Sequence, residues 1–294
     1  KFLNVEYCAL FNNATIAEMC LFKCLEIKGP VLVPSFTFSA TVQALNWIGI
    51  ETKFIDIDPN TYLLDTEKLG DSISDDISAI LPVNLYGLCC EHDELVYISK
   101  KYNIPLIYDS AQAFGTKYKQ RPVGSLGDAE FFSFHATKIF NTGEGGAVVT
   151  NNKILYDKLC KVRCFGFNQY LNFSHLGING KMSEVSALTG VLNLDKYDSH
   201  FAHRKKYYDY YISKLSLING ISPFDVRNVK NVSTNFSYIV ISVDPNIDID
   251  EYGVPIKIAM NLTFPEKENL LIHYNFEMCL LMHLNLSNYL EYLL

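Results

Sequence analysis

Apolar and polar positions follow two rhythms that take turns along the chain. Residues 12–29 (NNATIAEMCLFKCLEIKG) repeat apolar positions every three to four residues and stop at Gly29, which predicts a helix. GPVLVP (29–34) is a short unbroken apolar run bounded by Gly and Pro, which predicts a buried strand. The same exchange recurs: helix in SATVQALNWIGI (39–50), strand in TKFIDI (52–57), and a helix start in DTEKLGDSI (65–73) behind an Asp cap. AILPVNLYG (79–87) is a strand running into a loop, DELVYISKKYN (93–103) an amphipathic helix, and IPLIYDSA (104–111) a strand ending in a carboxylate. AEFFSF (129–134) and GGAVVT (145–150) are two further strands. Helical periodicity returns in 152–166, 182–197 and 201–216, and FSYIVISV (236–243) is one more strand. Strands separated by helices of this length predict an α/β fold with a mostly parallel sheet covered on both faces. The expected division is a large α/β domain over residues 1–200 and a smaller C-terminal domain over 201–294. The latter loses any clean period after about residue 253.

Composition narrows this picture in three places. A chain of 294 residues suits one large domain with or without a small companion. A formal charge of −7 argues against a nucleic-acid surface, which would need a basic stripe, but leaves room for a phosphate held at a helix N-terminus. Of the eight cysteines, Cys20/Cys24 and Cys160/Cys164 are four apart inside apolar segments, which reads as reduced core thiols rather than a zinc site. No secretory leader and no apolar run of membrane-spanning length is apparent, so a cytoplasmic location is expected. The chain begins at Lys1 rather than Met and is expected to be a fragment.

Ligands of open α/β sheets sit at the carboxyl ends of strands. Asp109 ends one predicted strand, and Ser133 and His135 end another. Phe36, Thr37 and Phe38 follow a third, and Lys138 comes just after Ser133. If strands 104–109 and 129–134 are neighbours, Asp109, Ser133 and Lys138 converge on one crevice. A carboxylate, an amine, a hydroxyl and an aromatic face together suit pyridoxal phosphate. Its aldehyde needs a lysine and its ring nitrogen a carboxylate; its phosphate needs hydroxyls and backbone N–H groups, which a helix starting at Asn13-Ala14-Thr15 offers. Phe38 could cover the ring. Singly, each signal has a plainer meaning: Asp109 a turn or cap, Ser133 a surface hydroxyl, and Gly143, Gly145 and Gly146 a turn into a strand. No GxGxxG follows a strand, so a dinucleotide fold has little support.

Seven ordered stretches carry a resemblance: NNATIAE (12–18), VPSFTFSAT (33–41), FIDIDPNTYLLD (54–65), ILPVNLYG (80–87), YDSAQAFG (108–115), SFHATKIFNTGEGGAVVT (133–150) and GINGKMSEVSALTG (177–190). Over about residues 1–245 the chain resembles the DegT/StrS-type nucleotide-sugar aminotransferases, which have the aspartate aminotransferase-like (fold type I) architecture of pyridoxal-phosphate enzymes. The resemblance implies that Lys138 is the Schiff-base lysine and the acid/base of the reaction. It implies that Asp109 pairs with the pyridinium nitrogen, that Gln112 hydrogen-bonds the ring hydroxyl, and that Phe38 stacks on the ring. Ser133, Ala14 and Thr15 would hold the phosphate. Asn179 would reach the phosphate of a neighbouring subunit, making the active unit a homodimer with shared sites. The implied reaction passes an amino group from glutamate to a keto group of a nucleotide-linked, dTDP-type keto-6-deoxyhexose. The wording of 133–146 and 177–184 is most similar to the branch acting at C3, with the 4-keto branch as the alternative. Lys138 stands where the related pyridoxamine-dependent sugar dehydratases carry histidine.

The sequence also departs from that pattern. Position 14 is Ala where many members have Gly, and position 84 is Asn where many have His. A segment ahead of Lys1 that helps cover the substrate is expected in the family. After about residue 253 the family's small-domain pattern gives way. ENLLIHY (268–274), read in another frame, can encode Lys-Phe-Ala-Tyr-Pro-Leu, which resembles the missing segment, so a frameshift near 253 is expected. Three readings follow: an active sugar aminotransferase, a pyridoxal-phosphate-binding relic without turnover, and a non-enzymatic protein on this fold.

Overall fold

The computed structural model describes residues 1–168 and 170–244. The frameshift expected near 253, and the loss of pattern beyond it, lie outside the described residues. Two compact units are present: Lys1–Tyr208 with Asp225–Val240, and Asp209–Phe224 with the described residues from Ile241.

The first unit is built in the order β1 (Tyr7–Phe11), α1 (Ala14–Leu25), β2 (Val31–Pro34), α2 (Ser39–Trp47), β3 (Thr52–Ile55), α3 (Thr66–Ser72), β4 (Ala79–Ile80), α4 (His92–Tyr102) and β5 (Ile107–Asp109). It continues through a small hairpin, β6 (Lys117–Tyr118) and β7 (Arg121–Pro122), to β8 (Ala129–Ser133), β9 (Gly146–Thr150), α5 (Lys153–Val162) and α6 (Glu184–Asp195). Helix α7 (Tyr197–Leu215) follows, so residue 200, the expected domain boundary, falls inside a helix. β10 (Ile221–Phe224), β11 (Val232–Ser233) and β12 (Val240–Val243) complete the described chain.

Strands β1-β9-β8-β5 form one hydrogen-bonded array and β3-β2-β4 another. Bridges Ile80↔Leu106 and Val83↔Asp109, both parallel, join them into one sheet. The Asp109 N–H donates to Pro82 O at 3.0 Å and the Asn84 N–H to Asp109 O at 2.8 Å, which seals the seam. Five strands (β3, β2, β4, β5, β8) run the same way and β9 runs against them, so the mostly parallel sheet read from the sequence is what forms. Strand β1, antiparallel to β9, was not anticipated. It spans only five residues, with Ala9 and Phe11 buried and Tyr7, Cys8 and Leu10 partly or fully exposed.

The core lies between the sheet and the helices α1 and α5. Phe11, Leu21, Phe22, Val33, Leu81, Ile107, Phe131 and Val148 are all buried there. Cys20, Cys24, Cys89 and Cys90 are buried free thiols, as their helical spacing and apolar surroundings suggested for the first pair.

Local chemistry sets the helix starts. Asn13 caps α1 by accepting the Ile16 N–H at 2.8 Å. Asp65 caps α3 through the N–H groups of Glu67 (3.0 Å) and Lys68 (3.3 Å).

Candidate active site

Asp109 is the last residue of β5 and pairs in register with Phe131 of β8, whose strand ends two residues later at Ser133. The neighbouring strands therefore bring Asp109, Ser133 and the loop bearing Lys138 to one edge of the sheet. Asp109 is buried. Its Oδ1 accepts the Ala111 N–H at 3.0 Å, and its Oδ2 accepts the Thr41 hydroxyl at 2.8 Å. Thr41 Oγ1 in turn lies 3.0 Å from Thr37 Oγ1. Burial raises the pKa of Asp109; the Ala111 N–H, the Thr41 hydroxyl and the positive charge of Lys138 oppose that rise. The carboxyl is thus supplied with donors yet short of a full counter-charge.

Lys138 sits in a tight loop, its N–H donating to His135 O at 2.9 Å. Its Nζ donates to the Tyr238 hydroxyl at 2.8 Å and lies 5.5 Å from that ring's centre. Gln112 Oε1 accepts the Tyr86 N–H at 2.7 Å, which leaves its NH2 group as the hydrogen-bonding end for a ligand oxygen. Tyr86 holds a left-handed backbone (φ +58°) to make that bond, a conformation uncommon for a bulky residue and one that recurs at functional sites. The rings of Tyr86, Tyr62, Phe36 and Tyr238 form a connected aromatic wall, with centres 5.8–6.5 Å apart.

The other end of the crevice is a backbone construction. Ser133 pairs with Gly146 across β8 and β9. A Cβ on Gly146 would come within 2.5 Å of Asn13 C and 2.6 Å of Ala14 N, so only glycine lets the start of α1 press against the strand there. The N–H groups of Ala14 and Thr15 fall in the first turn, where the helix's own ladder cannot use them. No acidic residue occupies that turn. Ser133 Oγ accepts the His135 N–H at 3.4 Å and keeps its proton for an acceptor.

A ring cluster fixes these two loops together. Phe114 stacks on Phe140 (4.5 Å between centres) and meets Phe132, Phe134 and Tyr197 edge-on at 5.8 Å each. The turn behind it needs Gly115 at φ +84°, where a Cβ would fall 1.6 Å from Tyr197 Oη.

The remaining sequence-derived candidates are placed as follows. Phe38 is the N-cap residue of α2, 57% exposed, and its carbonyl accepts the Thr41 N–H at 3.2 Å. Asn179 is exposed and its Oδ1 accepts from Lys181 Nζ at 2.5 Å; its implied role is toward a second copy rather than its own chain. His135 is tied up by Thr137 Oγ1 at 3.0 Å and Glu144 Oε1 at 3.4 Å. Two residues escaped sequence reasoning. Thr41 closes the stretch VPSFTFSAT, but a hydroxyl on a helix carries no signal of its own. Tyr238 lies 100 residues from Lys138, and only the tertiary fold joins them.

The donor set fits pyridoxal phosphate, and the close approach that Gly146 permits is the observation that tests the fit. It seats the first main-chain N–H groups of α1 on Gly146, the ladder partner of Ser133, and a phosphate needs such N–H groups together with a hydroxyl. An amine, a buried carboxylate and an amide donor complete the set for an aldehyde, a ring nitrogen and a ring hydroxyl.

Comparison with known proteins agrees. The DegT/DnrJ/EryC1/StrS aminotransferase family profile matches residues 1–259. A dTDP-4-amino-4,6-dideoxy-D-glucose transaminase of Shigella dysenteriae is 39% identical over 249 residues, covering 85% of this chain and 67% of that protein. The crystal structure of DesI in the presence of its TDP-sugar product superposes with a TM-score of 0.78 at 34% identity, over 83% of this chain and 62% of that one. Spr1654 from Streptococcus pneumoniae in its PLP form gives a TM-score of 0.76 at 26% identity, over 83% and 68%. This chain thus spans about two thirds of the length of the proteins it matches. On the profile match, the shared identity and the common fold, the chain belongs to the DegT/DnrJ/EryC1/StrS aminotransferase family.

Proposed function

We propose that this protein is a pyridoxal-phosphate-dependent aminotransferase that carries an amino group from glutamate to a keto group of a nucleotide-linked 6-deoxyhexose. The observation that carries the reading is the joint placement of Asp109 and Lys138 at one sheet edge with the Ser133–Gly146–α1 cradle beside them. When bound, pyridoxal phosphate supplies the electron sink that such a transfer needs. Asp109 holds a cationic ring N–H, and Thr41 keeps the carboxylate oriented. Gln112 donates its NH2 group to the ring oxygen, while Ser133 with the N–H groups of Ala14 and Thr15 holds the phosphate. Phe38 is assigned to the ring face. Lys138 Nζ anchors the cofactor and carries the proton that moves at the substrate carbon, with the Tyr238 hydroxyl steering it.

The sequence pointed first to C3 of the sugar. The 39% identity to a transaminase named for a 4-amino sugar favours C4, and a dTDP-4-keto-6-deoxyhexose is the substrate proposed here. A homodimer is part of the proposal. Helix α6 turns an apolar face outward, with Val185 77%, Leu188 61% and Val191 61% exposed at helical spacing, and Asn179 lies shortly before it. Among the described residues no helix is long and apolar enough to cross a membrane, and a cytoplasmic setting is proposed with the rest.

The test is an absorption spectrum of the protein with pyridoxal phosphate, before and after glutamate, with Lys138→Ala as control, followed by 4-keto and 3-keto dTDP-sugars as acceptors. A visible band that bleaches with glutamate, is absent in the control and returns with the 4-keto sugar is the expected result. A band that never bleaches would make the chain a binding relic, and no band in a folded protein would overturn the cofactor assignment.

A further inference from the structure

Lys138 and Tyr238 meet from separate parts of the chain, and each part has anchors of its own. The Lys138 loop is closed by the bond to His135 O, and Asn141 Nδ2 donates to Lys138 O at 3.3 Å. The Tyr238 segment hangs on Asn235, whose Nδ2 donates to Gln112 O (2.9 Å) and Phe114 O (3.0 Å). Arg204 of α7 spans the two. One terminal nitrogen of its guanidinium donates to Thr137 O at 3.0 Å and the other to Ser237 O at 3.3 Å. Thr137 is the residue before Lys138, and Ser237 is the residue before Tyr238. A planar fork with fixed donor spacing therefore sets how far apart the two carbonyls stand.

A second observation points to the same place. Phe236 holds a left-handed backbone (φ +55°), which is uncommon for a bulky residue and persists only where its surroundings impose it. Its ring packs against Phe201 (5.5 Å between centres) and Tyr208 (5.2 Å). Both lie on α7, about one turn to either side of Arg204 and on the same helix face. The strained turn is thus pinned to α7 directly ahead of the carbonyl that Arg204 binds.

We propose that Arg204 is a positioning residue for the Lys138–Tyr238 pair: its guanidinium braces the two main-chain segments that bring the amine and the hydroxyl together. This rests on the aminotransferase reading of the site, in which the hydroxyl steers the proton that Lys138 carries. Arg204 acts through the 2.8 Å contact between Lys138 Nζ and Tyr238 Oη, and not on cofactor or substrate. A misplacement of about 1 Å at such a contact can cost up to about a hundredfold in rate. Lysine at this position keeps the charge but replaces the fork with a single ammonium, which does not brace both carbonyls.

The experiment is a double-mutant cycle. The single-turnover reaction with glutamate is followed by stopped-flow absorbance in wild type, Arg204→Lys, Tyr238→Phe and the double variant. Arg204→Lys should slow the reaction about tenfold when Tyr238 is present and less than about twofold in the Tyr238→Phe background, with cofactor content unchanged. Equal slowing in both backgrounds would make Arg204 a support of the fold alone and overturn the proposal. Crystal structures of the cofactor-free proteins give a readout independent of activity. Wild type should show the fork on both carbonyls with the Nζ–Oη contact at 2.8 Å. Arg204→Lys should show that contact lengthened beyond about 3.5 Å with α7 in place. Arg204→Gln, which keeps a single NH2 donor, takes its place if the lysine variant does not fold. A wild-type guanidinium on only one of the two carbonyls, or an unchanged contact in the variants, would overturn the role. No bleaching by glutamate in wild type would instead overturn the aminotransferase reading, and the crystal structures would still decide whether Arg204 sets the contact.

Discussion

Replacing Glu130 by Gln should change how the protein's stability depends on pH. Glu130 lies in β8, buried. Its Oε2 accepts the Ser110 hydroxyl at 2.8 Å and its Oε1 the Leu126 N–H at 2.7 Å. Ser110 Oγ accepts in turn from Asn84 Nδ2 at 2.9 Å, and Asn84 Oδ1 from the Cys90 N–H at 3.0 Å. Burial outweighs these donors and lifts the carboxyl from its ordinary 4.5 to about 7. Between those values the unfolded chain has released the proton while the folded protein still holds it. The folded state binds more protons there, so this group's contribution to stability is fully present below pH 4.5 and is lost as pH rises through about 7. At 1.36 kcal/mol per unit the loss between about pH 5 and about pH 8 is roughly 2.5 kcal/mol. His92, buried against Tyr108 Oη at 2.8 Å, works in the opposite sense. Its pKa is pushed down to about 4 by burial, so its contribution is gained as pH rises from about 4 through 6.5. The two slopes oppose each other in wild type, and Glu130→Gln should unmask the rising limb. Urea denaturation of both proteins at about pH 5 and about pH 8 measures the difference. Gln keeps one acceptor but disrupts the proton order of the chain, a pH-independent cost of about 1 kcal/mol. If the gap between wild type and variant is the same at both pH values, the buried protonated carboxyl is refuted.

Gly146→Ala should drive a methyl into Asn13 and the α1 N-terminus, lowering stability by about 1–3 kcal/mol and weakening phosphate binding. Calorimetry and a titration with inorganic phosphate check both, and unchanged phosphate affinity would separate the cradle from the ligand. Tyr238→Phe removes the acceptor of the Lys138 ammonium and should slow the glutamate half-reaction about tenfold, the equivalent of about 1.4 kcal/mol, with cofactor content unchanged; stopped-flow absorbance reads it. Leu188→Glu with Val191→Glu places charges on the outward face of α6 and should yield a monomer by analytical ultracentrifugation, whereas a dimer of unchanged mass would place the subunit contact elsewhere.

What the sequence disclosed and what it hid follow a physical division. Inner strands are legible because they are buried on both faces, so VLVP reads as an unbroken apolar run and the paired phenylalanines of AEFFS mark the next. Asp109 and Ser133 were legible because they break such runs at their carboxyl ends. The edge strand Tyr7–Phe11 and the 117–122 hairpin were hidden, since short, half-exposed strands hold their place by pairing rather than by pattern. The strand expected over 236–243 is regular only from Val240, because Asn235 turns the chain just before it. Its side chain donates to Gln112 O (2.9 Å) and Phe114 O (3.0 Å) and accepts the Ser237 N–H (3.1 Å). Those bonds bring Tyr238 to Lys138, and no local periodicity encodes them.

The pairing of β1 with β9 bears on when the site can exist. Tyr7 lies opposite Thr150, and Phe11 opposite Gly146, so the first strand of the chain waits for one of the last strands of the sheet. The short connection from Phe11 to Asn13 makes the arrival of β1 and the seating of α1 on Gly146 a single event. Pairing across so long a stretch of chain is slow, because the loop must close before any contact rewards it. On a ribosome the cradle therefore stays open until residues near 150 have emerged. A ligand that recognises only the closed cradle then acts as a latch on the finished sheet, adding about 2.7 kcal/mol to stability at a hundredfold excess over its dissociation constant. Refolding with and without pyridoxal phosphate would show that latch as slower unfolding at an unchanged folding rate.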